Sequence, residues 1–174
     1  MKTISRPYHW HAIYTKSRAE KKLHSLLSQQ GIECYLPMKK ELRQWSDRKK
    51  WVEEPLIRSY IFIRVSEREY YDVLNNDYAT RYVTFGGKAA HIPDRQITSL
   101  KTFLSDANRC VELTHEDLSH GDEVEILAGP LKGAMGEVIQ IRGQHRVVLR
   151  FTSLGCCVHT EIKLDEIKKL TLNQ

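Results

Sequence analysis

The chain has 174 residues, of which 41% are hydrophobic and 28% charged; these fractions sit near globular averages and exclude general disorder. No apolar window of about 18 residues exists to span a bilayer, and the start, Met1-Lys2-Thr3-Ile4-Ser5-Arg6-Pro7, lacks the apolar stretch of a secretory signal. The formal charge of +5 is the sum of two unlike parts, because residues 1–108 carry +7 and residues 109–174 carry −2. Two modules with different partners are therefore expected. A +7 surface draws polyanions through the phosphate field and counterion release, and it equally fits a solvated lysine-rich face.

Trp10-His11-Ala12-Ile13-Tyr14-Thr15 reads as a strand, rich in aromatic and β-branched residues. Ser17-x-x-Glu20 has the spacing of a capping box. It predicts a helix with apolar positions Ala19, Leu23, Leu26 and Leu27, stopped by Gly31. Cys34-Tyr35-Leu36-Pro37 returns to an extended path. The charge-dense segment 38–54, with Trp45 and Trp51 around Ser46-Asp47-Arg48-Lys49-Lys50, predicts a protruding hairpin with a basic tip.

Ser59-Tyr60-Ile61-Phe62-Ile63-Arg64-Val65 is nearly continuously apolar, as a central strand is. Ser66-x-x-Glu69 introduces a short helix with Tyr70, Val73 and Leu74. Arg81-Tyr82-Val83-Thr84-Phe85 is a further strand before Gly86-Gly87, and Asp94 caps a third helix bearing Ile97, Leu100 and Leu104. This alternation predicts a split βαβ sandwich. Residues 109–119 read as a linker. Beyond it, four short strands (124–127, 137–141, 146–151 and 158–162) separated by glycine turns predict a small β-barrel. The fold class is α+β, with domains at 1–108 and 120–174.

No constellation for catalysis is present: no Gly-x-Ser-x-Gly, no Gly-rich phosphate loop, no His-Glu-x-x-His. Glu53 and Glu54 are adjacent and point to opposite faces of a strand. Cys34, Cys110, Cys156 and Cys157 lack metal spacing, and His9 with His11 lacks a third ligand. A non-enzyme without metal or cofactor is expected. With no export signal, the thiols read as reduced in a cytoplasm. The glycines Gly129, Gly133, Gly136 and Gly143 are explained by turns with positive φ.

What remains is binding. Lys16, Arg18, Lys21 and Lys22 cluster at the first helix, where a helix amino terminus suits phosphate, and Lys39, Lys40, Arg43, Arg48, Lys49 and Lys50 populate the hairpin. The hairpin tryptophans either stack on bases or pack within the hairpin. Tyr14, Tyr60, Phe62, Tyr82 and Phe85 lie on three strands and form either core or, where exposed, a protein-docking patch.

The run Gly121-Asp122-Glu123-Val124-Glu125-Ile126-Leu127-Ala128-Gly129-Pro130-Leu131-Lys132-Gly133-Ala134-Met135-Gly136-Glu137-Val138 resembles a KOW motif, and 160–167 resembles the last turns of that SH3-like barrel. The segments 10–16, 35–38, 54–63 and 82–86 resemble the NGN domain of the NusG/RfaH transcription elongation factors. The wording of 34–38 and 54–63 is nearer to the specialised RfaH-like paralogues, similar to antitermination factors of capsular or exopolysaccharide operons.

The resemblance implies an elongation and antitermination factor that suppresses pausing or termination. A KOW-type RNA-binding or ribosome-associated protein is the alternative. By resemblance, Tyr14, Tyr60, Phe62, Tyr82 and Phe85 would dock on the clamp helices of the RNA polymerase beta-prime subunit. Lys16 and Lys22, with Arg18 and Lys21 as neighbours, would read non-template DNA. Ser17, Ala19 and Leu26 depart from the RfaH pattern there, and 66–75 lacks the threonine-rich segment. The motif positions are Gly121, Asp122, Gly129, Pro130, Gly133 and Gly136. That domain would bind a small-subunit ribosomal protein or Rho. Gly129-Pro130 and the β-branched run 146–151 favour its barrel over the masking helical hairpin known in RfaH. The expected setting is a bacterial cytoplasm, and the expected state a monomer.

Overall fold

The computed structural model describes residues 7–106 and 109–170. Most of the amino-terminal segment read for a signal, and the expected boundary at 108, lie outside them. Contacts divide the chain into two compact units, one of residues up to 37 with 57–94, the other of 38–56 with 95 onward.

The first unit is a four-stranded antiparallel sheet with two helices. Strand β1 (His9–Thr15) leads to α1 (Glu20–Gln29) and β2 (Glu33–Tyr35). Two strands of the other unit, β3 (Met38–Gln44) and β4 (Lys49–Pro55), intervene before β5 (Tyr60–Val65), α2 (Tyr70–Leu74) and β6 (Ala79–Tyr82). The strand order is β2-β5-β1-β6, so β5 is internal, as its unbroken apolar run requires. Ile61, Phe62 and Ile63 are completely buried, as are Ile13 of β1 and Leu23 and Leu27 of α1.

The expected strand 81–85 is divided. Val83 leaves the ladder to bond the Ala12 carbonyl at 2.9 Å. Thr84–Phe85 (β7) then pairs with Lys88–Ala89 (β8) through Gly86-Gly87, both at positive φ, as a tight two-residue hairpin demands.

Neither capping box forms as the spacing suggests. Helix α1 starts at Glu20 with Ala19 at its cap and no side-chain cap bond. Glu20 is instead buried, its carboxylate accepting the Ser59 N–H at 2.7 Å. The competing turn before β5 thus takes the carboxylate that the helix start would have used. In the second pattern Glu69 does reach back, accepting Ser66 N–H and Ser66 Oγ–H at 3.0 Å each, yet regular helix begins only at Tyr70.

The second unit holds the β3–β4 hairpin, helix α3 (Asp94–Phe103) from its second residue, and a six-stranded antiparallel sheet. That sheet comprises β9 (Val111–Thr114), β10 (Asp122–Ile126), β11 (Met135–Ile141), β12 (Gln144–Phe151), β13 (Cys156–Glu161) and β14 (Ile167–Lys169). Helix α3 is tied to it: the Gln96 amide donates to the Arg150 carbonyl at 3.1 Å, and Ser99 Oγ accepts Met135 N–H at 2.9 Å.

Two features differ from the sequence reading. Residues 111–114, read as linker, form β9 and pair with β13; a four-residue strand alternating with charge carries little periodic signal. The strand order β14-β10-β11-β12-β13-β9 also leaves the end strands unpaired with each other, so no closed barrel forms among the described residues. Both edge strands are short, and charges such as Lys168, Lys169 and Glu112 blunt them, a common protection for an open edge.

One side of β12 and β13 is apolar, with Val147, Leu149, Phe151 and Val158 buried. The other joins Ile139, Val148 and Cys157 to charged neighbours, with Leu118 packed on top. There Arg150 forms a fork on Glu137, 3.0 Å to each oxygen. Arg146 reaches Glu112 at 2.6 Å and His159 Nδ1 at 3.0 Å. The Arg146 hydrogen bond holds Glu112 below the ordinary carboxylate range, and burial pushes His159 down.

Candidate functional site

The five aromatic residues do not form one patch. Register pairs place Tyr14 opposite Tyr60, and Ala12 opposite Phe62, so Tyr14, Tyr60 and Phe62 share a sheet face. Tyr14 and Tyr60 meet with ring centroids 4.4 Å apart and are partly exposed. Phe62 is 0% exposed and belongs to the core.

Tyr82 pairs with Ile13 and so faces the opposite side. It is 3% exposed, stacked on Tyr70 at 3.9 Å, with its hydroxyl donating to the Tyr70 carbonyl. Burial raises its phenol far above the usual range. Phe85, by contrast, is 69% exposed on the β7–β8 turn. The separation follows from the break at Val83: Tyr82 ends one strand, and Phe85 sits on another.

Arg81 was missed by the sequence reading. Its guanidinium lies 4.8 Å from the Tyr14 ring, which it faces across the β1–β6 pairing. Nothing in the local sequence signals this, since it follows from strand register. Such a cation over a ring face is favourable by about 0.5–1 kcal/mol when exposed.

The cations Lys16 and Arg18, on the turn between β1 and α1, and Lys21 and Lys22, in the first turn of α1, are all exposed. The turn is tightly held. Arg18 adopts φ 59, Ala19 N–H bonds the Lys16 carbonyl at 3.1 Å, and Lys16 N–H bonds the Tyr78 carbonyl at 3.0 Å. Lys22 Nζ lies 5.6 Å from the Tyr78 ring centroid. Lys16, Arg18 and Lys22 pair with no carboxylate among the described residues. Because Glu20 turns inward to Ser59, the first turn of α1 presents cations outward.

Of the motif residues, Gly129 and Gly133 have positive φ, 74 and 85, as expected of turns. Gly136 does not; it lies within β11, where an added Cβ would stand 2.6 Å from the Val148 carbonyl oxygen. Gly121 similarly lies against the Val138 carbonyl. These two are required by close backbone approach, a reason that sequence alone does not separate from turn chemistry. Asp122 forms an ion pair with Lys169 at 2.5 Å, and Pro130 follows Gly129 in the loop after β10.

A third histidine joins the first two: His91 stacks on His9 at 4.4 Å and meets His11 edge-on at 4.8 Å. His11 Nδ1 is engaged with the Ala90 carbonyl at 2.9 Å, and burial lowers its pKa. Among the described residues no three His, Cys, Asp or Glu side chains are arranged to hold a metal ion. Cys156 is pushed up to about 12 by burial, so its thiol stays protonated. No helix among the described residues is long and apolar enough to cross a membrane.

The site thus consists of an aromatic pair on a sheet face and of outward cations at the start of α1. The NusG family profile, described as transcription termination factor nusG, matches residues 8–101, more than half of the chain. The chain therefore belongs to the NusG family, which makes it a transcription elongation factor. Among solved structures, one from a study of domain interaction in Thermotoga maritima NusG is 19% identical, covering 94% of this chain and 98% of that one at TM-score 0.46. A structure of an MjSpt4:Spt5 complex is 16% identical, covering 95% and 99% at TM-score 0.30.

Proposed function

We propose that this NusG-family chain is a specialised, operon-directed elongation and antitermination factor of the RfaH-like kind, acting on capsular or exopolysaccharide genes. It docks on the clamp helices of the RNA polymerase beta-prime subunit and holds the polymerase in a pause-resistant state. No bond is made or broken: preferential binding to one polymerase conformation shifts its population. The observation that carries this reading is the Tyr14–Tyr60 pair, partly exposed on the sheet face with Arg81 over it.

Tyr14, Tyr60 and the exposed Phe85 are the contacts, while Phe62 and Tyr82 act from within the core by fixing the strands that present them. The segment bearing Lys16, Arg18, Lys21 and Lys22 takes the non-template DNA strand. The domain at 120–174 recruits a small-subunit ribosomal protein or Rho.

Polymerase pull-down tests the docking. A Tyr14→Ala, Tyr60→Ala chain is expected to lose most retention while its melting temperature falls by only a few degrees; full retention sinks the reading. For the DNA face, Lys16→Ala with Lys22→Ala is expected to lower the salt slope of single-strand binding by about 1.4, at about 0.7 per lost phosphate contact.

A further inference from the structure

The β3–β4 hairpin is used by neither surface above. Its stem is electrically closed: Lys39 lies 3.8 Å from Glu41, Lys40 3.7 Å from Glu53, and Arg43 2.6 Å from Glu54. Its tip is open. Asp47 reaches only Arg48, at 4.0 Å, and Lys49 and Lys50 pair with no carboxylate among the described residues.

The hairpin tryptophans are largely exposed. Trp45 is 54% exposed and Trp51 65% exposed. Trp51 stands directly opposite Leu42, itself exposed, and shares its face with Lys49 two residues earlier. Leu42 and Trp51 line an open cleft of about 500 Å³ together with Lys40 and Arg109. The Arg109 Nε is buried and has no hydrogen-bond partner among the described residues.

Large rings left in water beside uncompensated ammonium groups match an unpaired polynucleotide, whose bases stack on the rings while its phosphates meet the cations. A duplex hides its base faces in its own stack and offers the rings nothing. We infer that the hairpin tip binds single-stranded RNA, with bases on Trp51 and Trp45 and phosphates on Lys49 and Lys50. RNA is favoured over DNA because Gln44, Ser46 and Asp47 flank Trp45 in the chain and Asp47 keeps an exposed carboxylate. A carboxylate offers a phosphate nothing but accepts a hydrogen bond from a ribose 2′-hydroxyl, the group that separates RNA from DNA. This inference does not rest on polymerase docking.

The test is tryptophan fluorescence of the full chain titrated with a 12-nucleotide oligouridylate. The chain has three tryptophans, and Trp10 is 4% exposed, so the signal comes from the hairpin. Quenching is expected, and Trp51→Ala is expected to weaken binding about tenfold, the effect of one lost base stack. Lys49→Gln with Lys50→Gln lowers the salt slope by about 1.4. Oligothymidylate binds several-fold more weakly, and a 12-base-pair duplex leaves emission unchanged.

Unaltered affinity in Trp51→Ala overturns the inference, and so does equal quenching by duplex. Equal affinity for the two single strands overturns the assignment to RNA. The chain with Lys16→Ala and Lys22→Ala keeps the quench; its loss there would move the RNA to the basic turn. A failed polymerase pull-down leaves the quench intact, so the two readings fall separately.

Discussion

The two sheets cover their second faces by opposite means. In the four-stranded sheet, β5 is apolar on both sides, with Ile61, Phe62 and Ile63 all completely buried. In the six-stranded sheet, one side of β12 and β13 is apolar, while the other carries Arg146 and Arg150 with carboxylate partners and His159 against Arg146. An apolar face gains stability by leaving water and is indifferent to acid. A face built on charge-assisted hydrogen bonds is geometrically specific and depends on protonation.

The sharpest way to break the first sheet is Phe62→Ala, which opens a cavity in its centre. We expect a loss of about 3–5 kcal/mol, read by urea unfolding, and polymerase retention lost through unfolding instead of through contact. Tyr60→Ala should separate from it by keeping most stability.

The second sheet is broken most directly at a glycine. Gly136→Val places a Cβ 2.6 Å from the Val148 carbonyl oxygen and 2.9 Å from Val147 Cγ2. Overpacking of this kind costs about 1–3 kcal/mol, and residue-level hydrogen exchange should localise the loss to β11 and β12. Removing the cation instead, Arg146→Met, leaves Glu112 and Glu161 half-exposed and able to rehydrate. The expected cost is smaller, about 1–2 kcal/mol, and Arg146→Lys should not restore it, since one ammonium cannot serve three acceptors in fixed geometry.

The smallest effect is pH. His159 and His11 are both pushed down by burial, so each unit loses stability as pH falls below about 6.5, where the unfolded imidazole takes a proton. Glu112 is held low by its Arg146 hydrogen bond; burial opposes the shift at Glu137, but the Arg150 fork with the Gly121 N–H and nearby charges outweighs it. Stability from these carboxylates is present above about 4.3 and lost as pH falls through their folded values. Exchange protection in β11–β13 should therefore fall further than that in β1 and β5 between pH 5 and pH 3. Equal losses would remove the distinction between the sheets.

Most of the framework was legible because periodicity reports burial. The runs 10–15, 59–65 and 146–151 and the stripe Leu23–Leu27 each appear as the element they predict. What escaped depends on partners distant in the chain. Strand β9 exists because β13 offers an edge to it, and Arg81 meets Tyr14 because of register. The capping box at Ser17 yields because the Ser59 amide claims Glu20. The same cause divides the candidate site. The basic turn is local and was readable as a cluster, whereas the aromatic set spans several strands, and its faces depend on where the ladder breaks at Val83.

Ser59 has a consequence for how the two proposed contacts work together. Its N–H goes to Glu20 and its carbonyl takes the Thr15 N–H, so the residues at both ends of the cationic turn are fastened to one residue. The next residue is Tyr60. A nucleic-acid strand tugging on Lys16 or Lys22 thus pulls against the mounting of the docking ring itself, and the spacing between the two contacts is gauged by a single amino acid. Whatever grips one of them finds the other already in step.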